Sequence, residues 1–258
     1  MVEHYLSREQ QGKFHYTIGP YADPVLTVNP GDRVIVETHD AFEGKLLTED
    51  IMPSDVLQPP FLNPQTGPIY VTGTEPGDAL AITLHAIEPL GTQPRGTTCL
   101  VPYFGGLTST DTTATLQDPL PEIGRKVEVT QQHVKWSERI TLPYEPFIGT
   151  IGTAPKIDSI NSLTPGRHGG NMDLPDVAPG CTLYLPVATS GAYLYLGDGH
   201  AIQGDGELCG VAIEIATRTT MTLDVVKGWT LSWPRLENED LIMSIGSARP
   251  MEDAARIA

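Results

Sequence analysis

A chain of 258 residues can form one large all-β domain or two ordinary ones, and either buries a full core. Its 32 acids against 16 lysines and arginines leave a formal charge of −16, which argues against nucleic acid and anionic membranes as partners, since both need clustered cations. Three scattered cysteines without a C-x-x-C pair support neither a disulfide framework nor a zinc finger. No apolar leader and no span-length run is present, so a cytoplasmic, reducing compartment is expected.

In chain order, short runs of period-two alternation predict strands at 33–38, 79–87, 182–189, 193–196, 209–216, 221–226 and 241–245. The counts of 26 glycines and 23 prolines supply the turns between them. Segment 91–125 is rich in Gly, Thr and Pro and weakly periodic, and it reads as a long excursion of the kind that often covers sites. Helical character is confined to about 250–258, where Pro250 is followed by Glu252 and Asp253, acids that suit a first turn. That run reaches Ala258 without a C-cap, so a terminal helix cut short is expected.

One device recurs in VNPGDRVIVE (28–37), TEPGDALAIT (74–83) and VAPGCTLYLP (177–186): Pro-Gly, then an alternating strand. Proline at the second and glycine at the third position suit a type II turn. The three are independent turns or a repeated unit of a jelly-roll-like β-sandwich, and both readings give a mainly β chain, expected to form a single domain over 1–258.

Three stretches gather groups that carry chemistry. In VIVETHDAFEG (34–44), Glu37 and His39 share one face of an extended chain, and Asp40 falls where strand yields to loop. In TPGRHGGNMDLPDVAPG (164–180), Asn171 and Asp173 lie two apart behind His168 and a glycine pair that allows close backbone approach. In LGDGHAIQGDGELCG (196–210), Asp198 and His200 lie two apart, a spacing that lets both reach one ion, and Asp205 and Glu207 follow. The strand expected next alternates Cys209, Val211, Ile213 and Ile215 on an apolar face with Gly210, Ala212, Glu214 and Ala216 on the other. Glu214 is the large group among small ones, and a carboxylate in so apolar a strand needs a partner or a metal. On this alternation Cys209 belongs to the core. His4, His15, His85 and His133 read as structural.

The segments at 30–42, 63–78 (NPQTGPIYVTGTEPGD) and 148–155 (IGTIGTAP) together resemble the acetamidase/formamidase family, as do PGRHGGNMD (165–173), LGDGHAIQGDGE (196–207) and the strand bearing Glu214. The resemblance is collinear over nearly the whole chain. It implies a β-sandwich with a smaller α+β part, metal-containing homo-oligomers (often dimers), and hydrolysis of short aliphatic amides to carboxylate and ammonia. It puts weight on Glu37 and Asp40, on His168, Asn171 and Asp173, and on Asp198, His200, Asp205, Glu207 and Glu214.

No G-x-S-x-G elbow or Ser-Lys motif is present, so a protein nucleophile is not indicated. The expectation is Asp173, Asp198 and His200 as ligands of a divalent metal, zinc favoured by the histidine and calcium by the acids. Glu37 or Glu214 is the expected base, with Asp40 near it, and Asn171, His168 and Glu207 are the expected substrate contacts. A cupredoxin is rejected because no histidine follows Cys209. A non-catalytic cupin-like binding module is the rival, although its His-x-His motif is missing.

Overall fold

The computed structural model describes residues 1–46, 48–106, 114 and 118–258. Its strands begin with β1 (Glu3–Leu6), β2 (Thr17–Ile18), β3 (Leu26–Val28), β4 (Asp32–Glu37), β5 (Thr66–Val71), β6 (Ala79–Pro89) and β7 (Arg95–Leu100). There follow β8 (Ile123–Val129), β9 (His133–Lys135), β10 (Thr141–Pro143), β11 (Phe147–Thr153), β12 (Ile160–Asn161) and β13 (Gly169–Asn171). The last are β14 (Thr182–Pro186), β15 (Leu194–His200), β16 (Glu214–Ile215), β17 (Thr217–Val226), β18 (Arg235–Glu237) and β19 (Ile242–Ser244). The described helices are short: α1 (Arg8–Gln11), α2 (Pro53–Val56) and α3 (Met251–Ile257), the last following Pro250 as expected.

All three Pro-Gly steps are type II turns. The amide of the fourth residue donates to the carbonyl of the first at 3.0 Å (Asp32 to Asn29), 3.0 Å (Asp78 to Glu75) and 3.1 Å (Cys181 to Ala178). Gly31, Gly77 and Gly180 take the positive φ, 83° to 98°, that the third position requires. The turns lead into β4, β6 and β14, which belong to one seven-stranded sheet ordered β1-β4-β17-β6-β14-β18-β19. A ten-stranded sheet carries β10-β9-β8-β7-β16-β15-β11-β13, with β5 paired to β15 and β3 to β5. Apolar faces of both sheets meet in one core, with Val34, Val36, Leu80, Ile82 and Leu223 from the first and Ile69, Ile148, Ile151, Leu194 and Leu196 from the second. That is a sandwich. A smaller cluster joins α2 and the loop before it to β7, through Ala41, Phe42, Leu46, Val56 and Cys99.

Two sequence expectations change. Inside the stretch read as an excursion, Arg95–Leu100 forms β7 and pairs with β8, while 107–113 and 115–117 lie outside the described residues. The threonine pair of RGTTCL is the β-branched signal that short alternation hid. Cys209 is exposed, not core. Its strand starts only at Glu214, because Gly206 and Gly210 (φ 82° and 76°) turn the preceding chain.

The acids after the first two turns lock them in place. Amides of Val2 and Asn29 and the ring of His4 bind Asp32 and hold it at about 2. Burial would raise Asp78, but Lys227 and the amides of Gly228 and Glu75 outweigh it, again to about 2. Both folded values lie below the ordinary 3.8, so their stabilisation is present above that value and lost as pH falls through it towards 2. The urea midpoint should therefore drop between about pH 4 and about pH 2, and Asp78→Asn should flatten that drop. An unchanged slope in the variant would contradict this role.

Candidate active site

The cluster begins with strand pairing. β11 and β15 run antiparallel with Phe147 opposite His200, Ile148 opposite Gly199 and Thr150 opposite Gly197, and His200 faces Glu214 across the β15–β16 pair. Asp198 and His200, two apart on β15, share a face, and the register adds Glu214 beside them. The amides of Met172 and Asp173 both donate to the Gly149 carbonyl, at 3.0 and 3.2 Å, which brings the end of β13 onto the same spot. Asp173, Asp198 and His200 thus place ligand atoms within 4.8 Å of one another, and so do His200, Glu207 and Glu214.

Gly197 and Gly199 leave no room for substrate. A Cβ on Gly197 would lie 2.5 Å from the Pro64 carbonyl oxygen, and one on Gly199 would lie 2.2 Å from Thr217 Cγ2. They are there for close packing, and β15 continues buried through His200, past the 193–196 expected from alternation. Gly149, which sequence reasoning did not single out, is the cradle. A Cβ there would sit 2.6 Å from Asp198 Oδ2, 2.7 Å from Asp173 Oδ1 and 2.9 Å from His200 Cε1. Its signal was present, since a glycine inside an otherwise apolar strand marks a close approach.

Thr150, Asn63 and Gln203 complete the surround and were also missed. The Thr150 hydroxyl lies 2.5 Å from Asn171 Oδ1 and 3.1 Å from Asp198 Oδ2. Asn63 Nδ2 donates to Asn171 Oδ1 at 3.0 Å, and Asn171 Nδ2 donates to Asp173 Oδ2 at 2.5 Å. Gln203 Nε2 donates to the Asp173 carbonyl at 3.0 Å. Asn171 therefore orients Asp173 while lining the cavity. Glu207, half-buried, lines it too.

Charge here is dense and dry. His200, Asp198 and Glu214 are 1%, 2% and 2% exposed. His200 Nε2 stands 3.2 Å from Glu214 Oε2 and 3.4 Å from Asp198 Oδ1. Burial would lower His200, but the charges of Glu214 and Asp198 outweigh it and hold the ring well above its usual range. Burial also raises Glu214, to about 8, and lifts Asp173 and Glu207, with neighbouring acids adding to each. Asp173, Asp198 and Glu207 adopt φ of 46°, 60° and 41°, a region non-glycine residues rarely occupy, and such strain clusters at functional sites.

Asp173 Oδ1 and His200 Nδ1 are buried without hydrogen-bond partners, and Glu214 Oε2 is buried with only the ion-pair contact to His200. Native interiors rarely leave such atoms unpaired, and four acids around one imidazole repel unless a cation joins them. The donor set fits a divalent metal. The open side is a cavity of about 460 Å³, with Asn171, Asp173, Asp198, Glu207 and Glu214 at its polar end.

Four expected residues stand apart from this cluster. Glu37 lies on the other sheet, where the Tyr5 hydroxyl, the Arg8 amide and Arg218 bind its carboxylate, and it does not line the cavity. Burial would raise Glu37, but those hydrogen bonds lower it overall. Asp40 caps its own turn, accepting from the amides of Phe42 and Gly44 at 3.1 and 2.7 Å, so it positions Ala41 and Phe42 in the cavity wall. His168 is buried beside a separate cavity with neither ring nitrogen bonded, and burial lowers it to about 4. Asp205 is exposed in a turn.

A model of the Acetamidase/Formamidase family matches residues 3–164 and 158–251. The chain belongs to the acetamidase/formamidase family. It is by membership an amidase, a hydrolase of amide C–N bonds. Its relatives include an acetamidase of Mycolicibacterium smegmatis, 27% identical over 88% of this chain and 70% of its own, and a formamidase of Methylophilus methylotrophus, 24% identical over 85% and 65%. This family member thus spans about two thirds of these curated relatives. The crystal structure of an acetamidase from Yersinia enterocolitica superposes with a TM-score of 0.96 at 58% identity, over all of this chain and 78% of that one.

Proposed function

We propose that this family member is a metal-dependent amidase that hydrolyses short aliphatic amides of the formamide and acetamide type to carboxylate and ammonia. The observation that carries the reading is the set of buried ligand atoms on Asp173, Asp198, His200 and Glu214 beside the cavity, with Asp173 Oδ1 and His200 Nδ1 left without a hydrogen-bond partner. Asp173, Asp198 and His200 would hold the ion, with zinc favoured by the imidazole nitrogen and calcium by the carboxylates. Such an ion, when bound, supplies a Lewis acid for the carbonyl and lowers the pKa of water.

The chain's own residues do the rest. Glu214 Oε1 accepts from the Ala212 amide at 3.0 Å, which fixes the carboxylate and leaves Oε2 for the attacking water's proton. That proton then passes to the departing amide nitrogen. Between the two bases expected from sequence, Glu214 is favoured because the carboxylate of Glu37 is engaged elsewhere. Asn63 and Thr150 hold Asn171, and Asn171 holds Asp173 at the cavity edge. Free Cys99, Cys181 and Cys209 support a reducing, cytoplasmic setting, and the family resemblance supports a homodimer. No helix among the described residues is long and apolar enough to cross a membrane.

Ammonia release from acetamide by metal-supplied protein tests this reading. We expect release, and a fall in kcat of about 10²–10⁴-fold in Glu214→Gln. No ammonia with any metal supplied would favour the non-catalytic binding module instead.

A further inference from the structure

The acids of the cavity are gathered in one cluster, and apart from Ser54, Asn63 and Asn171 the rest of its lining is apolar. Away from them its wall is formed by Phe42, Leu57, Leu62, Val101, Phe104 and Val211. Sites of 300 Å³ and more ordinarily take drug-sized ligands. One heavy atom of liquid water occupies about 30 Å³, so acetamide, with four heavy atoms, would fill only roughly a quarter of 460 Å³. The remaining lobe offers a small amide nothing to bind.

Orientation follows from the chemistry. The leaving nitrogen must take a proton, so it faces the carboxylates of Glu207 and Glu214. A substituent on that nitrogen would be driven into the charged end. The acyl substituent points the other way, into the apolar lobe.

We propose that the preferred substrates are primary amides whose acyl group is an apolar chain or ring of about four to eight carbons. Water adds to the carbonyl, the C–N bond breaks, and the products are the corresponding carboxylate and ammonia. This deepens the amidase reading above and rests on it.

The test is kcat/KM for carboxylate release across acetamide, butanamide, hexanamide and benzamide, each with its equivalent of ammonia, and for acetate and butylamine release from N-butylacetamide as a reversed control. Burying a methylene should raise kcat/KM about threefold to fourfold, so hexanamide should exceed acetamide by about 10²-fold. Val101→Phe should reduce the hexanamide-to-acetamide ratio at least about tenfold by filling the lobe. Leu57→Phe, at the half-buried rim beside α2, should do the same if the first variant does not fold. Val101→Ala should not reduce the ratio. A flat or falling profile with chain length would overturn this proposal and leave the amidase reading standing, and so would preferential cleavage of N-butylacetamide. No ammonia from any amide would overturn the amidase reading and this proposal with it.

Discussion

Gly149→Ala should reduce kcat/KM for amide hydrolysis by at least about 10²-fold without unfolding the sandwich. Propensity alone predicts the opposite sign, since alanine in place of glycine inside a strand stabilises by about 0.5–1 kcal/mol. The added methyl has no free space, however. It would stand within 2.9 Å of Asp198, Asp173 and His200, closer than real Cβ contacts come. Those side chains are held by Asn171, Thr150 and the strand pairing, so they cannot swing away without breaking that network. Displacing reacting groups by about 1 Å is enough for a loss of this size. Circular dichroism of the variant should match the parent, and a fully active variant would show that the three groups do not act together.

His200→Ala should have the larger consequence for the site as a whole. The imidazole is the cationic partner of Asp198 and Glu214, and it contributes the nitrogen to both ligand groups. Removing one partner from a buried charged cluster costs about 3–5 kcal/mol, because the remaining carboxylates stay dry and unpaired. Thermal stability should fall, and metal binding and hydrolysis should fall with it. His200→Asn, which keeps a polar group there, serves where the alanine variant folds poorly.

Much of the fold was readable in the sequence. The alternating runs at 33–38, 79–87 and 221–226 became β4, β6 and β17, and the three Pro-Gly steps became type II turns because the dipeptide leaves little choice. The pairing of Asp198 with His200 was also legible, since residues two apart on a strand must share a face. Register was not. Only tertiary pairing sets Glu214 opposite His200 and lays Asp173 over Gly149, so Gly149 passed as one glycine among many. The weight on Glu37 came from the family resemblance and from its place at a strand end, and the sequence could not reveal that Tyr5, Arg8 and Arg218 hold that acid on the other sheet. Cys209 shows the complementary error: an alternating pattern was extended backwards through glycines that turn the chain.

The central claim is that Asp173, Asp198 and His200 hold a divalent ion on which amide hydrolysis depends. The most direct measurement is metal content after dialysis against zinc or calcium, taken with ammonia release from acetamide, for the parent and His200→Ala. The parent should bind metal stoichiometrically and release ammonia, and the variant should lose both. A variant that keeps its bound metal and full amidase activity would contradict the account.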